Sequence, residues 1–449
     1  MNALSLKSII LRAGLALLAM GLAQQAQAVP SFARQTGLSC NVCHSVAPEL
    51  TSFGRLFKLN GYTLTGIKQI QAGESGKSLS IDQLPPLSAM VQIADTQTSK
   101  AQPGTQNGNA QFPAQLSLFY AGAISQNMGA FAQLTYTQTD DHFSMDLADI
   151  RYADHTQLWG ADTIYGVTVN NGPTIEDVWN STSAWGFPWL SSEVAPTPAA
   201  STLLGGVFTG PGSVAGAGTY AFWDNRLYGL VSLYRASPTG AAQPISKTGV
   251  VDGVMPYWRL AYQFNNTNPL EVGVYGTHAA IAQGFSGGGP AGLSDSYTDY
   301  AVDAQYEIPM GDNLLSFYGT YIHEHQNLQA SSAAGLSAPS DTLKTLNLSS
   351  RYHLDSTQAL GLGYFNTTGT TDPLLYTVDP ADPVNGSANG SPDSNGWILQ
   401  YVYLPRQNVQ IAVQYTLYSK FNGGDTNYDG NGRNASDNDT LFLLLWVLW

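Results

Sequence analysis

The chain has 449 residues and carries 18 Lys+Arg against 32 Asp+Glu, a net charge of −14, so nucleic acid and anionic surfaces are excluded as bulk electrostatic partners. Only 11% of residues are charged and another 11% are aromatic, with 46 glycines and 24 tyrosines. After residue 28 no apolar run approaches the ~20 residues of a membrane helix. That combination points to a transmembrane β-barrel.

In chain order, residues 1–28 read as a secretory signal peptide. Lys7 and Arg12 form the basic start, Ala13–Ala23 the apolar run, and Ala26-Gln27-Ala28 the small-x-small cleavage signal. Residues 1–28 hold two basic residues and no acid, so cleavage takes the net charge from −14 to −16. Residues 29–66 form a compact segment that opens on Cys40-Asn41-Val42-Cys43-His44. In an exported chain this spacing predicts covalent haem c, with Cys40 and Cys43 as the thioether links and His44 as the proximal iron ligand. A thioredoxin-like pair would need a surrounding βαβ pattern, and a zinc site would need a second ligand pair; neither accompanies the motif.

Leu50, Phe53, Leu56 and Phe57 then fall on one face of a helix, with Pro48 in its first turn and Asn60-Gly61 as its stop. Some 40 residues cannot both wrap a haem and bury a core of their own. The segment is therefore expected to be a plug inside the barrel. Residues 67–86 read as a linker.

From residue 87 to 449 the period is two. Leu87, Ala89, Val91 and Ile93 alternate with Ser88, Met90, Gln92 and Ala94, and residues 409–418 repeat the pattern. This phase turns Met90 to the lumen. It is the candidate distal haem ligand, and a His/Met pair would raise the haem potential. His142 and His155 are the alternatives, as is an open or water-ligated iron. Seven short turns, beginning near Asn127 and ending near Pro405, alternate with eight long polar stretches. About sixteen strands follow, with both ends on the short-turn side. Leu441, Leu443, Leu445, Val447 and the terminal Trp449 give an apolar last strand closing on an aromatic. The expected fold is all-β: a barrel of about sixteen transmembrane antiparallel strands with a small N-terminal helical cytochrome c plug.

Other segments carry weaker signals. His323 and His325 share one face of a strand near its outer end, a spacing that can chelate a borderline metal or simply line a polar rim. Asp425–Asn431 matches half of a calcium loop but lacks its twelfth-position Glu. Asp372, Asp379, Asp382 and Asp393 would attract cations or merely solvate loops. The 171–214 stretch holds Trp179, Trp185, Phe187 and Trp189 and is expected to fold into the lumen over the haem.

Three blocks carry a resemblance. They are Pro30–His44 (PSFARQTGLSCNVCH) with Pro48–Tyr62 (PELTSFGRLFKLNGY), Val169–Asn180 (VNNGPTIEDVWN) with Ala184–Pro188 (AWGFP), and Lys420–Gly423 with Asn427–Asp437 (NYDGNGRNASD). Together they resemble the outer-membrane cytochrome–porin fusions of iron-oxidising bacteria, the family of the fused monohaem iron oxidase. The resemblance implies one covalent haem c held by Cys40, Cys43 and His44 within a barrel in the bacterial outer-membrane lipid. It also implies single electrons taken from extracellular Fe(II), or from another donor, and passed to a periplasmic carrier such as a soluble cytochrome. It supplies no distal ligand and no iron-docking residues. A conduit running outward to an acceptor and a diffusion porin with a structural haem are the remaining expectations.

Overall fold

The computed structural model describes residues 30–64, 71–72, 81–82, 86–102, 107–139, 141–179, 187, 190–207, 214–237, 249–378 and 383–449. The predicted leader, and the predicted linker apart from Pro86 and an antiparallel pairing of Gln71-Ala72 with Ile81-Asp82, lie outside these residues.

Sixteen strands close into one antiparallel barrel. They are β1 Leu87–Thr98, β2 Asn109–Ser125, β3 Met128–Thr137, β4 His142–Leu158, β5 Ala161–Asn170, β6 Val214–Trp223, β7 Leu227–Ala236 and β8 Met255–Phe264. The second half runs β9 Leu270–Ala282, β10 Ser294–Met310, β11 Asn313–Asn327, β12 Ser340–Leu354, β13 Gln358–Gly369, β14 Ser394–Arg406, β15 Val409–Lys420 and β16 Thr440–Leu448. Closure comes from β16 on β1, with Leu448 opposite Met90 and Thr440 opposite Thr98. The predicted count and the alternation of short turns with long loops are both seen. The shortest strand has nine residues, within the ~9–11 that a tilted strand needs to cross a bilayer.

The period-two sequence decides which face is wet. On β7, Tyr228, Leu230, Ser232 and Tyr234 are buried in the lumen, while Val231 and Leu233 are exposed outward. Leu260, Val272, Val302, Leu348, Leu362 and Leu399 continue the outer apolar belt. Water on such a belt would be unfavourable at about 25 cal/mol per Å². Tyrosine and tryptophan flank it: Trp159 and Trp223 meet edge-on at the short-turn end, and Tyr300 stands exposed toward the other.

Described segments enter the lumen from the short-turn end and from mid-height. At the short-turn end lie three helices, α1 Pro30–Thr36, α2 Cys40–Cys43 and α3 Ser52–Leu59. From mid-height, β5 stops at Asn170 opposite Asp149, and the chain turns inward through a buried 3-10 turn at Pro173–Glu176. Val178 and Trp179 then pack with Leu59 of α3. The predicted inward fold of this loop is thus seen for 172–179 and for 190–207; Trp185 and Trp189 lie outside the described residues.

One local expectation differs. The helix starts at Ser52 rather than at Pro48, because Thr51 caps it, its Oγ1 accepting from Gly54 N at 3.2 Å. Leu50 is therefore outside the helix. The buried face becomes Gly54, Arg55, Phe57 and Leu59, and Phe53 is exposed.

Candidate cofactor site at the short-turn mouth

The plug is tied down from its first residues. Ser31 N donates to Ser88 Oγ at 2.9 Å, and Arg34 donates to Leu87 O. Gln35 pairs with the wall like a strand residue: its Nε2 donates to Ala121 O at 3.1 Å, and its Oε1 accepts from Ala123 N at 3.2 Å. Gly122, having no side chain, leaves room for that amide. A small aromatic core holds the rest, with the Phe32 ring 5.1 Å from Phe57 and 5.6 Å from Tyr62.

Cys40 and Cys43 stand one helical turn apart, so both thiols share a face. Neither is in a disulfide, and both are half-buried. Burial, helped by Cys40, pushes the Cys43 thiol up to about 11. The turn is packed from behind. Thr51 N donates to Cys43 O at 2.9 Å, and a side chain at Gly54 would strike that same carbonyl.

His44 follows directly. Its Nδ1 lies 3.2 Å from Glu49 O. A carbonyl only accepts, so Nδ1 carries the proton and Nε2 keeps its lone pair. Metal-bound histidines are oriented in the same way. Burial lowers the His44 pKa, and hydrogen bonds to the Glu49 and Pro48 backbone oppose that. Glu49 is in turn fixed to the wall. Arg351 Nη1 lies 2.9 Å from its carboxylate, Tyr318 Oη donates at 3.4 Å, and His353 Nε2 stands 4.0 Å away. Burial pushes the Glu49 carboxyl up, against the Arg351 charge.

Beside this turn is a cavity of about 220 Å³, lined by Cys40, His44, Leu404, Asn408, Gln410 and Trp446 among others. Asn408 Oδ1 and Gln410 Nε2 are buried there without a hydrogen-bond partner. Buried polar atoms are rarely left so, and a donor and an acceptor facing one cavity fit a polar ligand edge. Two thiols, one imidazole with a committed Nδ1 and a mixed apolar and polar cavity are the residue types that haem c requires. The cavity is smaller than the ~300–1,000 Å³ of sites that enclose a ligand.

The other predicted residues fall as follows. Met90 does face the lumen and is 2% exposed. It packs with Phe119 and Leu448 beside Trp446, and its sulfur lies 3.8 Å from Gln92 Nε2. Leu448 and Trp446 line the cavity; Met90 itself does not. His155 meets the plug instead, its Nε2 donating to Asn60 Oδ1 at 2.8 Å. His142 begins β4 at the opposite end of the barrel. In the calcium-like loop, Asp429 Oδ1 accepts from Asn431 N and Arg433 N at 2.8 and 3.0 Å, so that carboxylate caps backbone. Asp372 caps Ala338, Leu374 and Leu375 nitrogens in the same manner, and Asp393 pairs with Lys420 at 3.7 Å. Asp379 and Asp382 lie outside the described residues.

The sequence reading missed the buried ion clusters of the lumen. Arg151 Nε and Nη2 donate to Asp149 and Glu176 at 2.5 and 2.8 Å. Tyr62 of the plug donates to Asp149 at 2.6 Å, and Lys58 Nζ to Ile175 O at 2.5 Å. A second arginine, Arg259, meets Asp303, Glu271 and Asp177 at 2.7, 3.0 and 3.5 Å. Arg55 of α3 reaches Glu307 at 3.2 Å. The available signal was charge on the inward phase of strands, as at Asp149 and Arg151.

No family model matches the chain, and no curated protein matches it. Among solved structures it is similar to Salmonella typhi OmpF in complex with daunomycin, at 14% identity and a TM-score of 0.47 over 81% of this chain and 97% of that one. It is also similar to the outer membrane channel DcaP of Acinetobacter baumannii, at 9% and 0.43 over 81% and 96%. Vibrio cholerae OmpT gives 9% and 0.42 over the same shares. The barrel assignment rests on the strand pairing itself.

Proposed function

We propose that this chain is an outer-membrane c-type cytochrome fused to a barrel, which takes single electrons from extracellular Fe(II) and hands them to a soluble periplasmic carrier. The apolar outer belt and aromatic flanks support the membrane, and the short turns support the periplasmic position of the plug. The observation that carries the reading is the Cys40–His44 turn, with His44 Nδ1 committed to Glu49 O beside a cavity holding unpaired buried amide atoms.

Haem, when bound, supplies a one-electron iron couple. Cys40 and Cys43 would anchor it, and His44 Nε2 would bind its iron. Met90, in one apolar cluster with two cavity-lining residues, is put forward for the distal side. Glu49 O and the Arg351 pair behind it hold the imidazole plane, while Trp446, Leu448 and Leu404 limit water. A cofactor inside the barrel divides the ~25 Å apolar layer that one electron cannot cross in a single step between dissolved partners. Each external Fe(II) gives one electron and leaves outside the cell as Fe(III), which hydrolyses and precipitates near neutral pH.

Protein purified in detergent, oxidised and then given Fe(II) without oxygen should develop reduced c-haem bands at once. Bands that need dithionite would move the assignment to another donor, and absence of c-haem bands would remove the cytochrome.

A second reading, a diffusion porin, is favoured by the sixteen-stranded architecture, since barrels of this size can leave an aqueous channel. Bilayer conductance separates the two: the plug and the inward loop should hold it far below that of an open porin.

A further inference from the structure

The histidine pair of β11 acquires a setting that the sequence did not show. His323 and His325 face outward, while Glu324 between them is buried in the lumen, accepting from Leu203 N at 2.7 Å. His278 on β9 pairs in register with Thr298 on β10, which pairs with His325. Its Nδ1 lies 2.8 Å from Thr298 Oγ1. In the next row Tyr300 pairs with His323, which pairs with Lys344 on β12. Three of the chain's seven histidines and one lysine thus share two adjacent rows across four strands. With strands ~4.8 Å apart and ~6.8 Å between same-face residues, the patch measures roughly 15 by 7 Å.

Its height is set by its neighbours. Tyr300 is 63% exposed, and Tyr321 stands just below His323 on the same face. Val302 and Leu348 continue into the apolar belt below. Aromatic girdles sit at headgroup level, so the histidines and Lys344 lie among headgroups of the leaflet on the long-loop side. The charge pattern is one-sided. Glu271, Asp295, Asp299, Asp303, Glu324 and Asp341 on β9–β12 are all buried in the lumen, and Glu307 faces there too, toward Arg55. In a chain of net charge −14, these four strands turn every carboxylate inward and set donors and a cation outward. Asp252, an acid on this rim, is bonded to Ser294 Oγ, above the two rows.

We infer that His278, His323, His325 and Lys344 form a docking patch for the phosphate groups of an outer-leaflet phosphorylated glycolipid. Charge complementarity and continuity with the apolar belt select this occupant, because its acyl chains lie on the belt while its phosphates meet the patch. A metal ion is disfavoured by Lys344 opposite His323 and by the strand between His278 and His325. Among the described residues no three His, Cys, Asp or Glu side chains are grouped to hold a metal. The inference needs the barrel in an outer membrane with its long loops outward, and it is independent of haem.

The test uses full-length protein and a His278→Gln/His325→Gln/Lys344→Gln variant, whose changed side chains are all exposed. Retained lipid is counted by native mass spectrometry with bisphosphorylated lipid A or its dephosphorylated form, and the haem absorbance of each sample is recorded. Bisphosphorylated lipid A should be retained about fivefold or more less well by the variant, and the dephosphorylated form should not discriminate. Equal retention of the two lipids, or equal retention by the two proteins, would overturn the patch. Displacement by millimolar inorganic phosphate alone would overturn the lipid as occupant, and zinc binding lost in the variant with lipid retention unchanged would assign the patch to metal. Missing haem absorbance with the lipid result intact would count against the proposed function and leave this inference standing.

Discussion

Replacing Arg151 with Met should open the barrel. Arg151 has no exposed surface, binds Asp149 and Glu176 at once, and lies with its Cζ 5.3 Å from the Tyr220 ring centroid. Glu176 belongs to the segment that turns into the lumen, and Asp149 belongs to the wall, so this guanidinium fastens one to the other. Its removal leaves two buried carboxylates with Lys58 as the nearby cation among the described residues. Breaking a buried pair from one side costs about 3–5 kcal/mol. At ~1.4 kcal/mol per decade this is roughly a 150- to 4,000-fold shift toward release of 173–179. Single-channel recording in planar bilayers reads it directly: the wild type should stay near its closed baseline, and Arg151→Met should show long open events. Adding Asp149→Leu, Glu176→Leu and Lys58→Met should return the channel toward closed, because an apolar replacement of a whole buried cluster is close to neutral. If Arg151→Met keeps the wild-type conductance with its strand signature intact, the cluster does not hold the loop.

Gly54→Ala pushes a methyl group into the Cys43 carbonyl, where only backbone can give way. Overpacking of about 1–3 kcal/mol against a helix-propensity gain near 1 should leave a net loss of about 1 kcal/mol and a lower haem-to-protein ratio; unchanged haem content would contradict the close packing. Lys58 offers a pH test, since burial and then Arg151 lower its pKa to about 8 in the folded protein, against ~10.4 unfolded. Between those values the unfolded chain binds the extra proton, so plug stability should rise from pH 8 to 10 by of order 1–3 kcal/mol. Resistance of the plug to limited proteolysis should follow that rise, and Lys58→Met should flatten it. Met90→Leu should lower the haem potential in a redox titration, because it would remove a thioether ligand. An unchanged potential and spectrum would leave Met90 as wall packing beside Leu448.

Much of the architecture was legible because a barrel wall writes itself into sequence with a period of two. Met90, Ser88 and Leu448 point inward as their alternation requires, and every predicted short turn falls between two paired strands. That His323 and His325 share one face of their strand was legible for the same reason. The ion clusters were not, because pairing is a property of closure. Arg55 and Glu307 stand 252 residues apart in sequence and Arg259 and Asp303 stand 44 apart, and no local pattern couples them. The helix face was misplaced by the neglected cap at Thr51, which moves the start four residues and turns Phe53 out of the core. Within the candidate site, Cys40, Cys43 and His44 were readable from spacing alone. The partner of His44 was not, since Glu49 O reaches it only through the Ala47-Pro48 turn.

The plug is too small to set its own geometry. Phe32, Phe57 and Tyr62 make one aromatic contact cluster, far less than a free-standing domain needs. Orientation comes from the wall instead. Tyr220 Oη donates to Leu59 O at 2.6 Å and His155 to Asn60, which fix the C-terminal end of α3. Arg55 reaches Glu307 on β10, and Tyr62 reaches Asp149 on β4. The decisive tie is Glu49, whose carboxylate is held by Arg351 on β12 and whose carbonyl holds His44. Imidazole orientation is therefore inherited from the barrel through two short contacts in series. The cavity beside His44 is likewise composite, closed by Leu404, Gln410 and Trp446 from three different strands. A cofactor at this site would have its exposure, and through exposure its potential, decided by strands far away in sequence from the motif that binds it.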